Sequence, residues 1–137
     1  MQKITPPEGF RHCFPVYPRF SDFDMMAHIN NTRYLTYAED ARIAYMEEML
    51  QTQLINCPVV ALVAHVEMDY KRPVNTGQKV YVYTRTARLG NKSFEQQTQI
   101  IAQDEMEGFS FLAAEGKTIM VCYEVATEKA VAIPELW

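Results

Sequence analysis

Cysteine is scarce in this chain of 137 residues, and the three present, Cys13, Cys57 and Cys122, are odd in number and far apart. No C-x-x-C pair occurs, so neither a disulfide framework nor a cysteine zinc site is indicated, and a reducing cytoplasm is the compartment expected. Long apolar runs are missing too. The longest, Val59 to Ala64, falls far short of the roughly 20 residues a membrane-spanning helix needs. The opening MQKITPPEGFRH has no apolar signal-peptide core, so no membrane partner is expected. Thirteen Lys and Arg stand against 17 Asp and Glu, a net charge of −4, without a basic run, which argues against a nucleic-acid partner. A G-x-S-x-G elbow is absent, which argues against a serine hydrolase. No repeat, linker or low-complexity stretch interrupts the chain. What remains is an ordinary globular composition, 48% hydrophobic and 22% charged, expected to form a single domain over residues 1–137 around one core.

The densest chemistry lies between Arg19 and Arg42, RFSDFDMMAHINNTRYLTYAEDAR. Asp22, Asp24, His28, Asn30 and Asn31 crowd a short polar turn after a strand-like run, Phe10 to Phe20, in which Pro15 and Pro18 suggest an edge or a bulge. A helical pattern follows at once, from about Thr32 to Gln51. Tyr34, Ala38, Ala41, Tyr45 and Met49 recur at spacings of three or four, and Leu35, Ala44, Met46 and Leu50 widen the stripe, so the helix is expected to be buried around much of its circumference. Asn30 or Asn31 is a suitable N-cap. A helix start presents N–H groups without intrahelical partners, able to hold an anion or polarise a carbonyl oxygen, and a nearby carboxylate can serve as base or nucleophile.

Beyond Asn56 and Pro58 the period changes to two. In Val59–Tyr70 the even-numbered residues share one face, and His65, Glu67 and Asp69 line up on the other. Lys79–Leu89, Phe94–Ala102 and Phe109–Glu124 read as further strands. Gly90 and Asn91 suit a tight turn because both tolerate positive φ. Ala114 and Gly116 allow close approach of another element, most simply the helix. One strand, one long helix and then four strands in a meander make an α+β sandwich, with the helix lying on a curved antiparallel sheet.

The series D-x-D-x-x-x-H-I-N-N-x-x-Y-L-x-Y-x-E-x-A-R, Asp22 to Arg42, resembles the acyl-CoA thioesterases of the hotdog fold, and most of all their 4-hydroxybenzoyl-CoA thioesterase-like branch. Asp69–Val74 with Gly77, the hairpin Leu89–Phe94 and the ending Ala130–Glu135 match in order and spacing. The resemblance implies one long central helix wrapped by a curved antiparallel sheet of about five strands. It implies hydrolysis of an acyl-coenzyme A to a carboxylic acid and CoA, with Asp24 as nucleophile or as base for water. The backbone N–H of Asn31 would polarise the thioester carbonyl, while His28 and Asn30 shape the loop and place water. Arg72, Lys92 and Ser93 are the expected contacts to coenzyme A. A homodimer or homotetramer is implied, with the site at a subunit interface, and no metal or other cofactor, coenzyme A being part of the substrate. Relatives often have Gly before the histidine where this chain has Ala27, an expensive substitution if that position needs positive φ.

Each residue has a plainer reading. Asp22 fits an ordering role in the turn or a pairing with Arg19. Glu39 fits a solvated helix position or a partner for Arg42. His65, Glu67 and Asp69 fit a polar sheet face or a subunit contact better than a metal site. Two rival functions stand beside the thioesterase: an acyl-thioester hydratase or dehydratase using His28 and Glu39, and a module that binds acyl-CoA without turnover.

Overall fold

The computed structural model describes residues 5–135 and 137. A strand β1 (His12–Val16) leads through a 3-10 turn (Phe20–Asp22) to the helix α1 (Asn31–Leu50). Then come β2 (Val59–Tyr70), β3 (Lys79–Leu89), β4 (Ser93–Asp104), β5 (Phe109–Glu124) and the two-residue β6 (Lys129–Ala130). All pairings are antiparallel and the sheet order is β1-β3-β4-β5-β2, with β6 beside β5. The helix and curved sheet are those expected. The four later strands do not form one meander, however: β3, β4 and β5 do, while β2 crosses over to pair with β5 and becomes an edge.

The first strand is shorter than Phe10–Phe20. Pro18 interrupts it, and the chain then turns as Asp22 Oδ2 accepts from Arg19 N at 2.9 Å. The helix starts one residue earlier than expected. Asn30 is the cap, its Oδ1 accepting from Thr32 N at 3.0 Å, and the helix ends at Gln51 in a left-handed conformation, φ 55°. Tyr34, Tyr37, Ala38, Ala41, Arg42, Tyr45 and Met46 are its buried face. Leu35, Ile43 and Met49 are exposed, so the stripe is narrower than the sequence suggested: one sheet covers only one side of a helix. Two apolar clusters result. One gathers Tyr34, Tyr37 and Ala41 with Val80, Val82 and Ile100; the other gathers Tyr45 and Met46 with Phe94, Met120 and Cys122.

Alternation along β2 fails at one point. Its register against β5 slips between Val63 and His65, so Ala64 is an extra residue. Before the bulge the odd-numbered Val59 and Ala61 face the core; after it the even-numbered Met68 does. The even face is therefore not continuous, although His65, Glu67 and Asp69 do share the outer side, with His65 Nε2 2.9 Å from Glu67 Oε1. A second bulge lies at Ala113 on β5, opposite Ile100 and Ile101. Gly116 admits a close neighbour, but that neighbour is β2 and not the helix: a Cβ there would collide with the Glu67 carbonyl oxygen. The β3–β4 hairpin closes with Gly90 N donating to Ser93 O at 2.8 Å, and neither Gly90 nor Asn91 takes positive φ. Gly90 supplies room instead, since a Cβ would stand 3.0 Å from the Ser93 carbonyl oxygen.

Candidate active site

Residues 22–30 form a tight loop closed by its own backbone. Asn30 N donates to Asp22 O at 2.8 Å, Asp24 N to His28 O at 2.8 Å, and Ala27 N to Asp24 O at 3.0 Å. Ala27 has φ 58°, the left-handed region that costs an alanine about 1–2 kcal/mol. The loop therefore keeps the conformation glycine would favour and carries the strain. It is pinned to the turn after β2, where Ile29 N donates to Val74 O at 2.9 Å.

The two aspartates of the motif are used oppositely. Asp22 is buried. Its Oδ2 accepts from the Tyr37 hydroxyl at 2.7 Å and from Arg19 N, and its Oδ1 lies 3.5 Å from Arg33 Nε. Burial pushes the Asp22 carboxyl up, but the Tyr37 hydroxyl, the Arg19 N–H and the charges of Arg33 and Arg19 outweigh it and hold the group below its ordinary value. Its ordering role is thus the one expected, with the backbone rather than the side chain of Arg19 as hydrogen-bond donor. Asp24 is exposed. Its Oδ1 accepts from Met26 N at 2.9 Å and His28 N at 3.2 Å, and its Oδ2 has no hydrogen-bond partner among the described residues.

A cavity of about 290 Å³ brings Asp24, His28 and Asn31 together with Tyr34, Tyr70 and Arg72. Asn31 opens α1, and its N–H has no acceptor among the described residues, as the first turn of a helix requires. Asn30 does not line the cavity; it fixes the helix start behind it, its Oδ1 also accepting from Thr32 Oγ1 at 2.8 Å. Arg72 is held over two rings, with its Cζ 5.1 Å from the centroid of Phe109 and 4.3 Å from that of Phe111. Lys92 and Ser93 are not near this cavity in the chain. They sit on the β3–β4 hairpin, where Ser93 pairs with Val121 beside the Val59 end of β2, whereas Asp24 lies at the Tyr70 end.

Tyr70 was not foreseen in this position. The Tyr70 hydroxyl donates to Asn31 O at 3.0 Å, tying the edge strand to the helix start, and its ring meets that of Tyr34 edge-on with centroids 5.3 Å apart. Burial above all raises the Tyr34 phenol, and Tyr70 and Asp24 push it the same way. The tyrosine before Lys71 and Arg72 was visible in the sequence, but the bulge at Ala64 decides where it points. Among the described residues, no group of three or more His, Cys, Asp or Glu side chains is placed to hold a metal ion.

The model of the thioesterase-like superfamily matches residues 18–136. The chain belongs to this superfamily. It is similar to a Thermus thermophilus thioesterase solved in complex with coenzyme A and Zn: 35% identity, 95% of this chain and 90% of that one, TM-score 0.78. It is likewise similar to a Pseudomonas aeruginosa PAO1 protein at 29% identity over 94% and 87% of the two chains, TM-score 0.81. The long-chain acyl-CoA thioesterase FadM of Escherichia coli K12 matches at 26% identity over 111 residues, 80% of this chain and 81% of that protein. An uncharacterised Bacillus subtilis 168 protein, YsmA, matches at 33% over 75 residues, 55% of this chain and only half of that protein. This member of the superfamily is a thioester hydrolase with the hotdog architecture.

Proposed function

We propose that the chain hydrolyses acyl-coenzyme A thioesters, with Asp24 as the reacting carboxylate and the Asn31 N–H holding the carbonyl oxygen. One observation carries the reading: a carboxylate oxygen of Asp24 and the N–H of Asn31, both unpaired among the described residues, border the same cavity. A thioester carbonyl between them meets a donor at its oxygen, where negative charge develops, and a base or nucleophile at its carbon. Either Asp24 Oδ2 takes a proton from water as the water oxygen attacks, or it attacks directly and water then cleaves the acyl-Asp24 anhydride. Both routes break the C–S bond, consume one water and give the carboxylic acid and the coenzyme A thiol. Arg72, fixed by its two rings, is free of a carboxylate partner among the described residues and suits a phosphate of coenzyme A.

The working unit in this reading is at least a dimer formed along β2. That strand is a 12-residue sheet edge with Leu62, Val63, Val66 and Tyr70 exposed, an edge that single chains seldom leave open. Antiparallel self-pairing about its middle sets the Val59 end of one copy beside the Tyr70 end of the other. Lys92 and Ser93 of one copy then approach the Asp24 cavity of the other, which is where contacts to coenzyme A are needed. No helix among the described residues is long and apolar enough to cross a membrane, and three free cysteines suit the cytoplasm we assign.

Thiol release from a panel of acyl-CoA esters tests the proposal, with wild type and Asp24→Asn measured side by side. Turnover of several esters and a loss of about a hundredfold or more in the variant are expected. Wild type that releases no thiol from any ester, or Asp24→Asn with normal turnover, sinks it.

A further inference from the structure

A trough runs between α1 and the edge strand β2. On the helix, Asn31, Leu35, Glu39, Arg42, Ile43 and Met46 recur at spacings of three and four and so share one face. On β2, Val63 and, after the bulge, Val66 and Tyr70 point to the inner side of the sheet, the side of Ala61 and Met68. Leu35, Glu39 and Ile43 are exposed, as are Val63, Val66 and Tyr70. At one end the Tyr70 hydroxyl ties β2 to the first residue of the helix, beside Asp24. At the other, a cavity of about 440 Å³ separates Arg42, Ile43 and Met46 from Val60–Val63 of β2. Leu35 and Val66 stand between the two ends, so an apolar path leads from the Asp24 cavity to this second one.

Arg42 is the anomaly of the trough. It lines the second cavity, yet is only 8% exposed. Among the described residues its one charged partner is Glu39, whose Oε2 lies 3.9 Å from Nη2 and whose side chain is mostly in solvent. A contact that long to a solvated carboxylate contributes little. Burial pushes the guanidinium below its ordinary value, and Glu39 offsets this only in part. A buried cation is costly unless an anion meets it closely.

We propose that the trough receives the acyl chain and that Arg42 selects acyl groups carrying a carboxylate at their far end. The inference rests on the coenzyme A thioester reading, because Asn31 sets where the acyl carbonyl lies. Helical side chains lean toward the N-terminus, which is why Arg42 Nη2 reaches back to Glu39. The guanidinium therefore stands level with residue 39, about 12 Å along the axis from Asn31 at about 1.5 Å per residue. An extended chain with C–C bonds of about 1.5 Å covers about 9 Å from the first to the last carbon of an eight-carbon diacid. A charge-assisted hydrogen bond adds about 2.8 Å, so such a group spans the gap. Glu39, being exposed, turns to solvent as the ligand carboxylate takes its place. Continuity with the Asp24 cavity favours a substrate group here over a carboxylate of a second copy.

Calorimetric titration of the full chain with two non-hydrolysable thioethers, octyl-coenzyme A and 7-carboxyheptyl-coenzyme A, tests the proposal without turnover. Wild type should bind the carboxylated analogue about tenfold tighter or more, and Arg42→Gln should reverse the order. Arg42 is buried, so the exposed Glu39→Gln carries the test if that variant melts early. It should bind the carboxylated analogue a few-fold tighter and the octyl analogue as wild type does. Equal binding of the two analogues by wild type overturns the proposal, and is the result expected if a carboxylate of a second copy already fills Arg42. Failure of both analogues to bind removes the coenzyme A reading and this inference with it. Thiol release tells the two apart: hydrolysis of octanoyl-CoA, with no gain in kcat/KM for octanedioyl-CoA, refutes selection by Arg42 alone.

Discussion

Asp22 and Asp24 stand two residues apart, and replacing each by asparagine should give opposite phenotypes. In Asp22→Asn the amide oxygen can still accept from the Tyr37 hydroxyl and Arg19 N, but its NH2 group must then face the Arg33 guanidinium, donor against cation. Two charge-assisted bonds become neutral ones, about 1 kcal/mol each, and a partly exposed ion pair worth under about 1 kcal/mol is lost. The loss is about 2–3 kcal/mol. An unfolding entropy of about 2.1 cal/mol/K per residue over 137 residues gives about 0.29 kcal/mol/K, hence a Tm lowered by roughly 7–10 °C. Asp24→Asn keeps an oxygen for Met26 N and His28 N at an exposed position, so its Tm should move by less than about 3 °C while turnover is lost. Thermal melts by circular dichroism, with thiol-release kinetics measured well below both midpoints, decide the matter. If Asp22→Asn melts like wild type yet abolishes turnover, the assignment of the two aspartates is wrong. The pH dependence gives a second check. The Asp22 carboxyl titrates below its ordinary value in the folded chain, so its stabilisation is complete above the unfolded value of about 3.9 and is lost as pH falls through the lower folded one. The gap in stability between wild type and Asp22→Asn should be constant from about pH 5 to 7 and close below about pH 4.

Ala27→Gly should stabilise the chain by about 0.5–1 kcal/mol, because the left-handed strain removed exceeds the extra freedom glycine brings to the unfolded state; a lowered Tm would refute the strain. Gly116→Ala should cost about 1–3 kcal/mol or more, since the new Cβ meets the Glu67 carbonyl and stands 3.1 Å from Met68 Cα, where only movement of β2 gives relief. Gel filtration of the same variant should show weakening of the dimer proposed along β2, and an unchanged Tm together with an unchanged elution volume would count against both the close approach and that proposed interface.

The helix was legible because Tyr34, Ala38, Ala41 and Tyr45 keep its period and Asn30 caps it. The strands were legible for the same local reason. Their order was not, since the pairing of β2 with β5 joins segments some fifty residues apart and leaves no local trace. Nor were the bulges: the run Val59–Ala64 is apolar on both parities, so nothing in it marks the residue at which inside and outside exchange. The exposed Leu35 and Met49 looked like core because hydropathy does not say how many sides of a helix its own chain covers. In the site, Asp24, His28 and Asn31 were legible as one compact motif. Arg72 was expected as a contact to coenzyme A, but Tyr70 and the two rings that hold Arg72 were not, because their place depends on where β2 ends after its bulge and on Phe109 and Phe111 arriving from another strand.

Most polar groups around the Asp24 cavity are tied down. The Asp22 carboxylate holds Tyr37 and Arg19, the Asn30 side chain holds Thr32, the Tyr70 hydroxyl holds the Asn31 carbonyl, and one oxygen of Asp24 holds two loop amides. These bonds join the loop, the helix and the edge strand. The free Asp24 oxygen and the Asn31 N–H are thus fixed from three directions before any substrate arrives. Donors and carboxylates set in this way lose little to reorganisation as charge develops on a carbonyl oxygen, which is where such a site gains over water. The strain retained at Ala27 fits the same logic: the left-handed residue lets the chain turn back within five residues, so that both oxygens of one carboxylate are not consumed in closing the loop.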